Sequence, residues 1–134
     1  MNGTFLSSAF TNAEQAYIPT VTVTADKNPK YSTSAGNNTQ DQVFLLSITE
    51  VEKYFSTDND RMCVPTAYAI AQGAWTSDSY SVGGAATCWW WLRSPGDSGG
   101  AAVVGDGGSV YYNGCYVNDG SVCVRPALWI NLES

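Results

Sequence analysis

Phe5, Leu6, Ala9, Phe10, Ala13 and Tyr17 recur at helical spacing until Pro19 breaks the pattern, which predicts one short amphipathic helix at the start of the chain. Residues 18–24 (IPTVTVT) alternate β-branched apolar residues with hydroxyls, the pattern of a strand with one solvated face. Residues 26–42 are polar, hold Pro29 and Gly36 and show neither period, so they read as a surface loop. Residues 43–46 (VFLL) are a short apolar run suited to a buried strand, and Ser47 with Glu50 makes the S-x-x-E box that opens a helix through Tyr54 and Phe55. Pro65, at a first helical position, and Gly73 bracket a further short helix, TAYAIAQ. Gly83 and Gly84 turn the chain into CWWWL at 88–92. In a strand Trp89 and Trp91 point one way and Trp90 the other, so both faces of this strand are expected to be packed.

From Asp97 to Cys123 the pattern changes. Of these 27 residues, 18 are Gly, Ser, Tyr, Asn or Asp, and none is Lys, Arg, Glu, Pro, Trp, Leu or Ile. Val103, Val110, Val117 and Val124 recur every seven residues. Five glycines between them would each cost about 1 kcal/mol in a helix interior, so a coiled-coil seam is excluded. The spacing instead suggests short strands, each anchored inward by a valine, with turns at Gly107, Gly114 and around Gly120. Residues 124–132 (VRPALWINL) read as a closing core strand. The expected buried set is Trp89, Trp91, Val110, Val117, Val124 and Trp129. Arg93 and Arg125 each sit beside a proline in an apolar stretch. Their fixed donors suit tying loop carbonyls or an acidic side chain together, and the other reading is an anionic-ligand clamp.

Composition narrows the chemistry. A chain of 134 residues with 44% hydrophobic residues is read as one domain, 1–134, with a core of its own. Six Lys plus Arg against twelve Asp plus Glu give a net charge of −6, which disfavours nucleic acid and anionic lipid. The absence of histidine removes every mechanism that needs a His base or ligand. Cys63, Cys88, Cys115 and Cys123 are spaced 25, 27 and 8 apart, outside any paired C-x-x-C zinc pattern. Two disulfides and buried free thiols both stay open. No apolar stretch is long enough to span a membrane, and MNGTFLSSAF lacks the positive start of a signal peptide, so no membrane insertion by this chain is expected.

CWWWLRSPG, followed by about thirty Gly-, Tyr- and Asp-rich residues and then VRPALWI, resembles a family of bacterial and phage domains related to the C-type lectin fold. Its relatives include formylglycine-generating enzymes and the variable, or target, proteins of diversity-generating retroelements. DQVFLLSITEVEKYF and RMCVPTAYAIAQG look like the middle of the same domain, so the resemblance covers about residues 2–132. It implies an α+β, C-type lectin-like fold with two short flanking helices, small twisted antiparallel sheets and long loops. The chain could then be the C-terminal domain of a longer protein on a cell surface or phage particle.

In the retroelement-diversified members, adenine-directed mutagenesis changes scattered codons near the C-terminus. The resemblance implies a fixed frame of residues 89–95, Ala101, Val103, Val110, Gly114, Val117 and residues 124–129, with Trp89, Trp91, Arg93, Arg125 and Trp129 prominent in it. It implies variation, and ligand contact, at Asp97, Ser98, Gly99, Val104, Asp106, Tyr111, Tyr112, Cys115, Tyr116, Asp119, Ser121 and Cys123, the region 97–123. Cys115 and Cys123 would then be products of diversification rather than disulfide partners. The composition agrees, because versatile binding surfaces use Tyr for rigid amphipathic contact and Ser, Gly, Asn and Asp for adaptable hydrogen bonds. Ordinary Gly-rich surface loops are the alternative. No E-P-N or Q-P-D triplet is present, so calcium-dependent sugar binding is not supported, and no metal or cofactor is expected. The function expected is non-enzymatic recognition of an unknown protein or cell-surface ligand. The alternatives are an interaction module of a larger surface or phage protein and an enzyme of the formylglycine-generating type.

Overall fold

Hydroxyl side chains decide where most helices of this chain begin. In the computed structural model, which describes residues 2–133, Thr11, Ser47, Thr57 and Thr66 each accept a hydrogen bond from the backbone N–H three residues on. The helices are α1 (Asn2–Ala9), α2 (Asn12–Gln15), α3 (Ile48–Tyr54), α4 (Asp58–Arg61) and α5 (Ala67–Ala71). The single opening helix read from spacing is therefore two. Thr11 and Glu14 form a reciprocal capping box that satisfies the free N–H groups of a new helix and restarts the chain after Phe10. The box of Ser47 and Glu50 opens α3 as read from the sequence. Thr57 with Asp60 opens α4, which no apolar periodicity announces because its four residues are all polar. Pro65 precedes the Thr66 cap rather than entering α5, and Gly73 follows that helix at φ +99°.

Among the described residues seven short strands complete an α+β architecture of small antiparallel sheets. β1 (Val21–Val23) pairs with β2 (Thr39–Asp41), which falls inside the segment read as loop. β3 (Ser81–Val82) and β4 (Ala85–Ala86) form a hairpin over Gly83 and Gly84. Both glycines hold positive φ, 59° and 82°, as a type I′ turn requires. β5 (Trp90–Pro95), β6 (Gly100–Val104) and β7 (Val110–Tyr116) make the largest sheet, with β6 in the middle. Among the described residues no helix is long and apolar enough to cross a membrane.

One face of that sheet is the main core. Trp90, Leu92, Ala102 and Val104 pack against Ile48 and Val51 of α3, and all six are buried. Fully burying a large apolar side chain contributes about 1.5–3 kcal/mol, so this contact dominates the fold. The Trp90 indole N–H donates to Arg61 O at 3.0 Å, leaving no polar atom of that ring unpaired. A second cluster joins Leu6, Ile18 and Val43, with Phe5, Phe10 and Leu128 partly covering it.

β6 meets a bulge on each side. Trp91 pairs with Val103 and Pro95 with Ala101, so β5 takes four steps where β6 takes two. β7 does the same between Tyr111 and Cys115. Bulges leave backbone groups without ladder partners. Buried Asn28 supplies them: its side-chain amide donates to Pro95 O at 2.8 Å and to Tyr112 O at 2.7 Å. The polar segment 26–42 is thus anchored on the sheet, with Thr33 adding a bond to Gly96 O.

Several expected core positions are corrected here. Val103 is buried and Val110 half-buried, but Val117 and Val124 are 69% and 56% exposed. The seven-residue step fails because β7 bulges and the chain then turns, with Asp119 N–H bonded to Tyr116 O. Residues 124–132 form no strand. Just before them Cys123 bridges Trp90, and within them Ala127 bridges Phe44, and Pro126 has no N–H to extend a ladder. Residues 43–46 likewise form no strand, although Phe44 bridges Ala127. Trp129 is 50% exposed and sits edge-on to Tyr54. Trp89 and Trp91 are half-buried, and Trp90 rather than either of them fills the core.

Candidate functional site

The face of β5–β6–β7 opposite α3 carries most of the candidate residues. Tyr111 and Cys115, four residues apart across the β7 bulge, both project to the side of Val103 and Ala101, their partners on β6. Gly114 makes this possible: it holds φ +73°, and a Cβ there would lie 1.8 Å from Ala101 O. Gly108 does the equivalent at the hairpin tip, where a Cβ would lie 1.8 Å from Asp58 O in α4.

Two clefts adjoin on this side. The larger, about 610 Å³, is lined by Asp97, Ser98, Gly100, Asn113, Gly114, Cys115, Tyr116, Asn118 and Asp119. The smaller, about 400 Å³, is lined by Trp75, Trp89, Asp106, Cys115, Asp119, Ser121 and Val122. Cys115 and Asp119 belong to both, so the two form one continuous surface. No lysine or arginine among the described residues lines either cleft.

The polar groups are held by short local bonds. Asp97 accepts from the Ser98 N–H at 2.7 Å, and its own N–H donates to Asn113 O at 2.9 Å. Asp119 accepts from both the hydroxyl and the N–H of Ser121, at 2.6 and 2.9 Å. Those two bonds hold its carboxyl below the usual carboxylate range. Asp106 accepts from the Ser77 hydroxyl at 2.6 Å, and its carbonyl accepts from Thr87. Burial, together with the Asp119 charge, pushes the Cys115 thiol up, so it presents a neutral S–H. Trp89 stacks on Tyr111 with ring centroids 4.7 Å apart. The Trp75 backbone N–H donates to Ser121 O, docking the turn after β7 onto the wall of the smaller cleft.

The twelve candidates divide clearly. Asp97, Ser98, Asp106, Cys115, Tyr116, Asp119 and Ser121 line the clefts. Gly99 flanks them against the Tyr116 ring, and Tyr111 supports Trp89. Three do not join them. Val104 is buried in the core beside Trp90, because its parity on β6 faces α3. Tyr112 packs on that same core, donates its hydroxyl to Glu52 and lies under the Lys30 ammonium. The Glu52 bond, then burial, push its phenol up. Cys123 is bridged to Trp90 and packs on the core as well. The structure adds Trp75, Asn113, Asn118 and Val122. Asn113 and Asn118 lie inside the Gly- and Tyr-rich stretch whose composition marks them, whereas Trp75 is twenty-two residues upstream of Asp97 and no local signal ties it to the site.

The two arginines read as structural ties have the contacts to be so. Arg93 donates to Thr24 O at 3.0 Å and Leu45 O at 2.9 Å and pairs with Glu50 and Asp26. Burial raises Asp26, but bonds from Ser47 and Thr24 and the Arg93 charge outweigh it and keep the carboxyl low. Arg125 covers the Trp90 and Phe55 rings, with its guanidinium 4.8 and 5.1 Å from their centroids. Among the described residues no group of three or more Cys, Asp or Glu side chains is placed to hold a metal ion.

No curated protein and no solved structure matches the chain. A family model does match, over residues 1–132, and its description assigns no activity. The chain therefore belongs to the family described as "Domain of unknown function (DUF6273)".

Proposed function

We propose that this chain is a non-enzymatic binding domain of C-type lectin-like fold, a variable protein of a diversity-generating retroelement, whose double cleft recognises a protein or cell-surface ligand. The observation that carries the reading is the gathering of seven candidate residues, five from three separate turns and two from the end of β7, onto one solvent-facing surface. Exposed Tyr116 and the edges of Trp75 and Trp89 offer rigid contact area, and Asp97, Asp106, Asp119 and the neighbouring amides offer adaptable hydrogen bonds. With three carboxylates and no cation, the surface favours a basic or hydroxyl-rich partner. An interaction module of a larger surface or phage protein, with no selected ligand, is the second reading, supported by the belt of exposed Tyr54, Trp129, Ile130 and Leu132.

Sequencing the coding region and its flanks in closely related isolates tests the proposal. A near-copy template repeat, a neighbouring reverse transcriptase gene and substitutions concentrated at the cleft-lining codons are the expected result. Substitutions spread evenly through Val104, Trp90 and the cleft, with no template, would overturn it.

A further inference from the structure

Three of the four cysteines, none of them lining the double cleft, converge from distant parts of the chain. Cys63 follows α4, Cys88 precedes β5, and Cys123 follows the turns after β7. Cys63 and Cys88 stand directly opposed in an isolated antiparallel bridge, with Cys88 N–H donating to Cys63 O at 2.9 Å. Cys123 is bonded on both sides of the β5 entry, its N–H to Trp89 O at 2.8 Å and its carbonyl to Trp91 N–H at 3.0 Å. The Cys88 thiol lies close enough to those of Cys63 and Cys123 for each to perturb it. All are free thiols, and they do not form a metal ligand set.

We propose that Cys63 and Cys88 are a redox modification site that closes into a reversible cross-strand disulfide by exchange with a low-molecular-weight disulfide such as glutathione disulfide. The backbone is already in place. Directly opposed antiparallel residues hold their Cα atoms about 4.5–5.5 Å apart, inside the roughly 4.4–6.8 Å that a disulfide spans. The roles follow from access: Cys88 is wholly buried, so an incoming disulfide meets half-buried Cys63 first. The hydrogen bond from Cys88, opposed by burial and assisted by the Arg125 charge, brings the Cys63 thiol down to about 6. Donating that bond pushes Cys88 up, and burial adds to it. Cys63 is thus the thiolate that attacks, and Cys88 the thiol that resolves.

The exchange balances. The Cys63 thiolate attacks one sulfur of glutathione disulfide, forming a mixed disulfide and expelling a glutathione thiolate. That thiolate takes the Cys88 proton, and the Cys88 sulfur attacks the Cys63 sulfur, expelling the second glutathione thiolate. The protein loses two electrons and the small disulfide gains them. The new bond would join the segment after α4 to the entry of β5, where Arg61 O already accepts from Trp90.

The test uses the reduced full chain, exposed to glutathione disulfide, alkylated at its remaining thiols and mapped by peptide mass spectrometry. The expected product is a peptide cross-linked through Cys63 and Cys88, with Cys115 and Cys123 alkylated, reversed by dithiothreitol. Cys115→Ser should leave the cross-link unchanged, and Cys63→Ala should leave Cys88 unmodified. A lasting glutathione adduct on Cys63 with no cross-link, or a cross-link from Cys88 to Cys123, would overturn the assignment. None of these outcomes depends on whether the double cleft binds a ligand.

Discussion

The two faces of the β5–β6–β7 sheet are built from adjacent residues of the same strands, yet they meet opposite conditions. On the α3 side Trp90, Leu92, Ala102 and Val104 are excluded from water, and each has neighbours from another element. On the other side only Val103 is excluded from water, Trp89 and Trp91 are half-covered, Tyr111 is exposed beside Trp89, and Cys115 and Tyr116 lead outward into clefts lined by carboxylates and amides. The difference lies in what covers each face: a helix bringing Ile48 and Val51 on one side, and turns held mainly by their own hydrogen bonds on the other. A fold of this kind places most of its fully buried side chains on one face of the sheet.

That comparison breaks or sharpens on three sets of substitutions. Trp90→Ala should cost about 3–5 kcal/mol in urea unfolding, because it empties the centre of the core. Trp91→Ala should cost about half as much, since that ring is only half-buried; equal losses would mean the faces are not distinct. Asn28→Ala should cost about 2 kcal/mol, because it strips the buried Pro95 and Tyr112 carbonyls of their shared donor. An unfolding midpoint unchanged by that substitution would show the bulges to be solvated instead. Smallest is the contrast between two neighbouring tyrosines. Tyr112→Ala should lose about 1–2 kcal/mol of packing and of bonding to Glu52, whereas Tyr116→Ala should stay within about 0.5 kcal/mol. Reversal of that order in paired melts would place Tyr112 on the wrong face.

What the sequence made legible were features written in a few adjacent residues. Ser47 and Glu50 announced α3, Gly83 and Gly84 announced a turn, though not the two short strands β3 and β4 that flank it, and the composition of 97–123 marked residues that line the clefts. Features that depend on distant partners were hidden. Three consecutive tryptophans look alike from either face of a strand, so nothing local says that Trp90 meets Ile48 and Val51. Val104 and Tyr112 carry residue types that suit a variable surface, and only their register with β5 and α3 turns them inward. The apolar run 124–132 lacks a partner strand, which its own residues cannot reveal. The break at Phe10 was legible in principle, since T-x-x-E at 11–14 is the same box that opens α3.

The bulge at Gly114 sets a rule about chain length. Side chains along a strand alternate between faces, so losing one residue between Tyr111 and Cys115 would exchange the faces of everything up to the next turn. Cys115 would leave the clefts, and the carbonyl of Ala101 would no longer meet a residue without a Cβ. The surface therefore accommodates replacement of one side chain by another far more readily than insertion or deletion. If the region 97–123 is diversified as proposed, its variants should differ in their letters while keeping the same number of them.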